Sequence, residues 1–147
     1  MKKLKPPVFA VITFAAMLAV HRWVPIKQII PVPWNLLGSI PLLFGAAISL
    51  HALWLFRHYR TTPEPFGPPR LLVTNGPFRF SRNPMYAGIL LIFSGVACLL
   101  GTATPWLALP ILGVVFDRLF IRAEEKKLAM KFGDTYRRYH SHVRRWL

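Results

Sequence analysis

The sequence predicts an all-α integral membrane protein with about four transmembrane helices and a C-terminal amphipathic cytoplasmic helix. The chain is too apolar for an ordinary soluble domain, because hydrophobic residues make up 54% of its 147 residues and the mean hydropathy is +0.39. Four apolar segments approach the roughly 20 residues that a helix needs to cross a bilayer. The basic residues also fall mainly on one side of those segments. A chain of this length provides for a single domain, residues 1–147.

The four predicted spans cover residues of about 7–25, 34–56, 86–101 and 104–121. The first span follows three lysines and therefore also resembles a signal peptide. Its apolar run ends in His21-Arg22-Trp23 without a clear small-x-small cleavage site, so we interpret it as a retained span. The last two spans are separated by residues 101–105, a short turn that predicts a tight antiparallel hairpin.

The net charge of +14 follows the membrane topology rather than a nucleic-acid surface. If the N-terminus is cytoplasmic, seventeen of the 19 Lys and Arg residues lie on that side, and only Arg22 and Lys27 lie on the other. This positive-inside pattern predicts that both termini are cytoplasmic, and we expect the membrane to be a bacterial or archaeal cell membrane. Attraction to anionic headgroups explains the charge, so we expect membrane lipid and no nucleic acid as a partner.

Two segments outside the spans carry polar patterns. Residues 57–85 form the longest non-apolar connection, and their six prolines argue against a continuous helix. A structured loop of this length is typical of a functional segment. Residues 122–143 predict a basic amphipathic helix, which Gly133 and Asp134 can divide in two. Its apolar face is formed by residues at helical spacing, namely Leu128, Phe132, Tyr136, Tyr139 and Val143.

The connection ends in a turn-rich, doubly basic segment that runs directly into the third span. The Gly76-Pro77 turn, the restriction of Asn83 by Pro84 and the small residue Gly88 favour a fixed loop that a ligand or a neighbouring helix can approach closely. A simple loop-to-helix cap whose arginines face lipid phosphates explains the same residues equally well. Glu124-Glu125 are two of only five acidic residues, and they can equally complement the positive end of a helix.

Two motifs in the second half of the chain resemble a known family. The first is Leu72-Val73-Thr74, Gly76, Phe78, Arg82-Asn83-Pro84-Met85-Tyr86 and Gly88, and the second is Glu124-Glu125-Lys126-Lys127-Leu128 followed by Phe132-Gly133-Asp134-Thr135-Tyr136-Arg137-Arg138-Tyr139. In this order, and separated by two spans, they resemble the signatures of the isoprenylcysteine carboxyl methyltransferase and phospholipid methyltransferase superfamily.

The resemblance implies a membrane-embedded enzyme of prokaryotic type that uses S-adenosylmethionine at the cytoplasmic end of its helices. Its implied acceptor is a lipidic or prenylated small molecule, either a prenylated thiol acid or an amine headgroup. A carboxylate such as Glu124 suits the ammonium group of the cofactor, because a charge-assisted hydrogen bond is short and strong. The implied cofactor contacts are Arg70, Leu71, Leu72, Val73, Phe78, Asn83, Pro84, Met85, Tyr86 and Glu124.

Two positions depart from the family pattern. Asn83 stands where eukaryotic members carry His, and Phe120 stands where carboxyl-methylating members place an Arg that holds the substrate carboxylate. Arg118 and Arg122 lie four apart and would share one face of an α-helix, whereas residue 120 would point about 200° away from Arg118. We therefore predict that the protein is not a dedicated carboxyl methyltransferase of prenylated proteins. The candidate catalytic residues are Arg118, Arg122 and Glu125.

Other polar residues give weaker indications. Asp117 and Arg118 are ionisable residues near hydrocarbon and are candidates for the polar end of the acceptor site, or for a mutual ion pair. His51 and His58 are seven apart on one helical face, which favours a buried hydrogen-bonded pair, and we assign no metal.

Two further functions compete with methyl transfer. A membrane reductase of the sterol-reductase type would use a nicotinamide cofactor, but the Glu124-Glu125 pair and the Phe-Gly-x-x-Tyr motif argue against it. A non-enzymatic membrane protein that binds anionic lipid through its basic tail would bind no cofactor.

Overall fold

The computed structural model describes residues 5–61 and 71–146, and every regular secondary-structure element within these ranges is a helix. Its α-helices are α1 (Pro6–Trp23), α2 (Ser39–His58), α3 (Pro84–Leu100), α4 (Ala108–Val115) and α5 (Arg122–His142). Short 3-10 turns cover Trp34–Gly38, Gly76–Arg79 and Thr104–Leu107. A π-helical segment, Phe116–Ile121, joins α4 to α5 without a break.

Three helical segments of the described chain are long and apolar enough to cross a membrane: Pro6–Trp23, Trp34–His58 and Thr104–His142. A fourth apolar helix, Pro84–Leu100, is shorter at 17 residues, which is about 25 Å of helix. The apolar part of the longest segment ends at Ile121, because Arg122 and the two glutamates follow. The predicted fold class is confirmed, and the protein is an all-α membrane protein.

The helix ends differ by one or two residues from several predicted boundaries, and proline accounts for two of the differences. Helix α1 ends at Trp23, and Val24 leaves the helical conformation with φ −132° and ψ 64°, because the following Pro25 disfavours the α conformation before it. Helix α3 begins at Pro84, whose fixed φ suits the first helical position. Most prolines of the predicted loop, and Arg70, lie outside the described residues.

Helix α2, together with the turn that precedes it, packs antiparallel to α3 through two pairs of glycines. A Cβ atom at Gly95 would lie 2.6 Å from the carbonyl oxygen of Gly38, a distance that no larger residue tolerates. Gly45 and Gly88 meet in the same way seven residues along each helix. Close approach of small residues is how helices associate in a membrane. Of the two explanations for Gly88, the neighbouring helix is therefore the one that the structure supports.

The loops at the far end of α3 pack against each other. The N–H groups of Ile29 and Ile30 donate to the carbonyl oxygen of Gly101 at 2.8 and 3.0 Å, and the N–H of Ala103 donates to the carbonyl oxygen of Lys27 at 3.1 Å. Since α3 starts at Pro84, this loop pair lies at the opposite end of the helices from both signature motifs.

Helix α5 has the predicted amphipathic character. Tyr136 is buried, and the other four residues of the apolar face are partly buried. Gly133 interrupts the helix with φ 49° and ψ −122°, a left-handed φ that glycine adopts without steric cost. The first turn of α5 carries Glu124 and Glu125 close to the head of α3.

Candidate functional site

The segment just before α3 is held by the segment that follows α5. The N–H of Arg82 donates to the carbonyl oxygen of Arg144 at 2.9 Å. The side chains of Ser81 and Asn83 donate to the carbonyl oxygen of Arg145 at 3.2 and 3.0 Å. We call residues 143–146 the C-terminal strap. The strap thus binds the first signature motif from a position just after the second, although more than 60 residues separate the contacting groups.

A buried ionic network reinforces this contact. Glu125 accepts hydrogen bonds from Arg82 Nε at 3.0 Å and from Arg145 Nη2 at 2.6 Å. The side chains of Arg82 and Glu125 are only 8% and 11% exposed. Arg82 also donates to the carbonyl oxygens of His140 and Val143 at 2.8 and 3.1 Å. Both oxygens of Glu125 are thus engaged by guanidinium groups.

The network extends to Asp117 in the π-helical segment. Arg145 Nη1 donates to Asp117 Oδ1 at 3.0 Å, and Arg122 Nε donates to Asp117 Oδ2 at 2.9 Å. Arg118, the neighbour that we predicted as a partner of Asp117, is farther away at 4.0 Å. The side chains of Arg118 and Arg122 are 67% and 51% exposed, so both reach the protein surface beside this carboxylate.

The helix around Phe120 differs in type from the predicted α-helix. We placed Arg118 and Arg122 by α-helical spacing, but Phe116–Ile121 is π-helical, and such a segment pairs residues five apart. Accordingly, the partner of Arg122 is Asp117, five residues earlier. Phe120 is 4% exposed, and its ring stacks on Tyr86 with centroids 6.5 Å apart. The position four residues before Glu124 therefore presents an aromatic ring to the interior.

Glu124 and Tyr86 bring the two signature motifs into direct contact. The Tyr86 hydroxyl donates to Glu124 Oε1 at 3.2 Å, and the Tyr86 ring packs against Phe116 with centroids 4.9 Å apart. Burial raises the pKa of Glu124 to about 8, although the hydrogen bond from Tyr86 and the charge of Lys127 oppose this rise. A carboxyl group in this state gains from a nearby cation, because a positive charge restores its ionised form.

The other predicted cofactor residues divide between two environments. Val73 and Phe78 are buried in a small cluster with Leu55 of α2, and Met85 packs against it. Asn83 and Pro84 are buried at the head of α3, Leu72 is half-buried, and Leu71 is 48% exposed. The structure thus brings together Val73, Phe78 and Met85 on one side and Tyr86 and Glu124 on the other.

Sequence reasoning missed Arg145 and the position of Tyr139. The Tyr139 hydroxyl donates to the carbonyl oxygen of Phe78 at 2.7 Å, which connects α5 to the small cluster. Arg82 could have been found, since it lies inside the first motif. Arg145 contacts partners 20 and 28 residues away, and no local pattern marks such contacts.

The predicted pairing of His51 with His58 is wrong. Both residues are exposed, and the ring of Trp54 lies beside each of them, with centroids 6.1 and 5.0 Å away.

Comparisons with known proteins identify the family of the chain. The sequence pattern of the phospholipid methyltransferase family matches residues 34–135. An uncharacterized protein of Haemophilus influenzae is 44% identical over 63 residues, which are 43% of this chain and 100% of that protein. No solved structure matches the chain. The family match includes Tyr86, Glu124 and Glu125 but ends before Tyr136 and the C-terminal strap.

Proposed function

Since the chain belongs to the phospholipid methyltransferase family, we propose that it transfers a methyl group from S-adenosylmethionine to the polar head of a lipidic or prenylated small molecule at the cytoplasmic membrane face. The observation that carries this proposal is the 3.2 Å contact between Tyr86 and Glu124. It joins the two motifs, 38 residues apart, at the head of a membrane helix.

The residues at this contact fit the cofactor. Its amino-acid tail carries an ammonium group. Glu124 is a partly buried carboxyl group whose pKa is raised by burial, so a bound cation would stabilise its ionised form. The adenine ring of the cofactor is flat and has apolar faces, which suit the buried side chains of Val73 and Phe78 and the partly buried Met85. We assign the cofactor tail to Glu124 and the adenosine to this cluster and Tyr86.

When bound, the cofactor supplies an electrophilic methyl group on its sulfonium. The residues of the chain then have to align donor and acceptor and keep water away. Tyr86 orients the Glu124 carboxylate. The rings of Phe116 and Phe120 pack against Tyr86 and exclude water from that side of the site. The Arg82–Glu125–Arg145 network fixes the loop before α3, so we assign Glu125 a positioning role. We assign Arg118 and Arg122, whose side chains are exposed at the surface, to an anionic group of the acceptor.

The identity of the acceptor can be tested by incubating membranes that contain the protein with labelled S-adenosylmethionine. Either a phosphatidylethanolamine or a farnesylated cysteine analogue is added as the acceptor. We expect label on the amine lipid and little base-labile ester on the prenyl analogue, because Phe120 replaces the arginine that would pair with a buried carboxylate. Efficient formation of base-labile ester would contradict this expectation. Loss of that ester in Arg118→Ala or Arg122→Ala would then identify the substituting arginine.

Cofactor binding is expected to depend on pH through Glu124. The carboxyl is largely protonated below its free pKa of about 8, whereas a bound ammonium favours the ionised form and lowers that pKa. Binding therefore releases a proton, and affinity rises as the pH increases toward 8 and then levels off. We expect the affinity for S-adenosylhomocysteine to rise by up to about tenfold per pH unit between about pH 6 and 8.

Calorimetric titration of the detergent-purified protein measures this dependence, with Glu124→Gln as the control that should remove it. A wild-type affinity that is constant over the same range would rule out Glu124 as the ammonium ligand.

The proposed topology places both termini and the site in the cytoplasm. The site lies at the end of the helices that carries most of the basic residues, while Arg22 and Lys27 belong to the opposite end. Reporter fusions at residue 103 and at the C-terminus are expected to report opposite sides of the membrane. Two reporters on the same side would exclude this topology.

A further inference from the structure

Tyr136 carries a buried hydroxyl group that has no hydrogen-bond partner among the described residues. The residue is 3% exposed, and its ring packs against Tyr139 and His140 with centroids 6.2 and 5.9 Å away. Burying an unpaired hydroxyl is unfavourable, so each such group calls for an explanation. A bound ligand that accepts a hydrogen bond from the Tyr136 hydroxyl would supply that explanation.

The surroundings of this hydroxyl place it beside the candidate site. Burial raises the pKa of Tyr136 to about 12, and the charges that act on it most strongly belong to Glu125, Arg82, Arg145 and Glu124. The group therefore stays protonated at physiological pH and is a hydrogen-bond donor. The contacts of the Tyr136 ring lead to the same place, because the ring packs against His140, whose carbonyl oxygen accepts a hydrogen bond from Arg82, and Arg82 binds Glu125.

The other donors around these glutamates already have acceptors. Arg82 and Arg145 are bound to Glu125 and to Asp117 or main-chain carbonyls. Tyr86 donates to Glu124, and Tyr139 donates to the carbonyl oxygen of Phe78. Among these arginines and tyrosines, the Tyr136 hydroxyl is the donor without an acceptor.

The tail of S-adenosylmethionine carries a carboxylate on the same carbon atom as its ammonium group. If Glu124 takes the ammonium, the cofactor carboxylate is held close to the Glu124 carboxylate, and it needs a donor to offset the repulsion between these two charges. We propose that the Tyr136 hydroxyl donates a hydrogen bond to the carboxylate of the cofactor tail. This inference rests on the proposed function. It adds a cofactor-binding residue that lies outside the range 34–135 matched by the family.

The test compares two ligands that differ only in this carboxylate. Wild-type protein and Tyr136→Phe are titrated with S-adenosylhomocysteine and with its decarboxylated analogue, which keeps the amine and the adenosine. We expect Tyr136→Phe to bind S-adenosylhomocysteine about tenfold more weakly or worse, the effect of a hydrogen bond to a charged group, and to bind the analogue with unchanged affinity.

Tyr136→Phe should fold normally, because it removes an oxygen atom that has no partner in the described structure. Tyr139→Phe is the matched control, since it removes a structural hydrogen bond and should affect both ligands equally. Equal weakening of both ligands by Tyr136→Phe, or none, would overturn this inference while wild-type binding upheld the proposed function. Failure of the wild-type protein to bind either ligand would overturn both.

Discussion

Replacing Glu125 by Ala is expected to reduce the free energy of unfolding by about 3 kcal/mol, at the lower end of the cost of breaking a buried ion pair. The substitution leaves two guanidinium groups without their carboxylate, and the Arg82 side chain is 8% exposed. The expected loss is at the lower end because both arginines retain other acceptors. Arg82 still donates to the carbonyl oxygens of His140 and Val143, and Arg145 still donates to Asp117.

Unfolding of the purified protein with a denaturing detergent, followed by circular dichroism, measures this effect. The matched control is Asp134→Ala on the same helix, because the pair of Asp134 with Arg137 is 84% and 80% exposed. An exposed pair contributes at most about 1 kcal/mol. Similar losses in the two variants would show that the Glu125 network is not a major source of stability.

Replacing Glu124 by Gln is expected to weaken the binding of S-adenosylhomocysteine by about 1.5–3 kcal/mol, the range for a hydrogen bond to a charged group. This corresponds to a loss of affinity of roughly tenfold to more than a hundredfold. Glutamine keeps an oxygen that can accept the Tyr86 hydroxyl, so the fold should persist. The measurement belongs at about pH 8, where a substantial fraction of the wild-type carboxyl is ionised.

Asp134→Asn is the control for this second variant, since it also removes one negative charge from α5 but at an exposed position. Its affinity should match that of the wild-type protein. Wild-type affinity in a folded Glu124→Gln variant would show that another group holds the ammonium.

The helices could be predicted because each depends on a local pattern. Runs of apolar residues indicated the spans, and the spacing from Leu128 to Val143 indicated the amphipathic face of α5. The position of Gly133 also indicated the interruption that the structure shows. The glycine pairs between α2 and α3 were visible only as small residues, because their partners become evident when the two helices are placed side by side.

The candidate site could be predicted only where a motif marked it. Tyr86 and Glu124 belong to the two signatures, and their contact follows once the signatures converge. The partners of Glu125 and Asp117 could not be foreseen, because Arg145 lies outside both motifs. The π-helical segment was also missed, since the apolar pattern around Phe120 suits an α-helix equally well, and the pairing of Arg122 with Asp117, five residues earlier, was not foreseen.

Because the C-terminal strap is synthesised after the loop that it binds, that loop can gain its final contacts only late in translation. Ser81 and Asn83 leave the ribosome 64 and 62 residues ahead of the Arg145 carbonyl that both of them bind. At about 5–20 residues per second, that interval lasts roughly 3–12 s. During this time the membrane helices can insert and pack through their glycines, while the loop before α3 remains without its final partners. A nascent chain that has already inserted its helices is thus expected to be unable to hold the cofactor until residues 143–146 have been added and have left the ribosome.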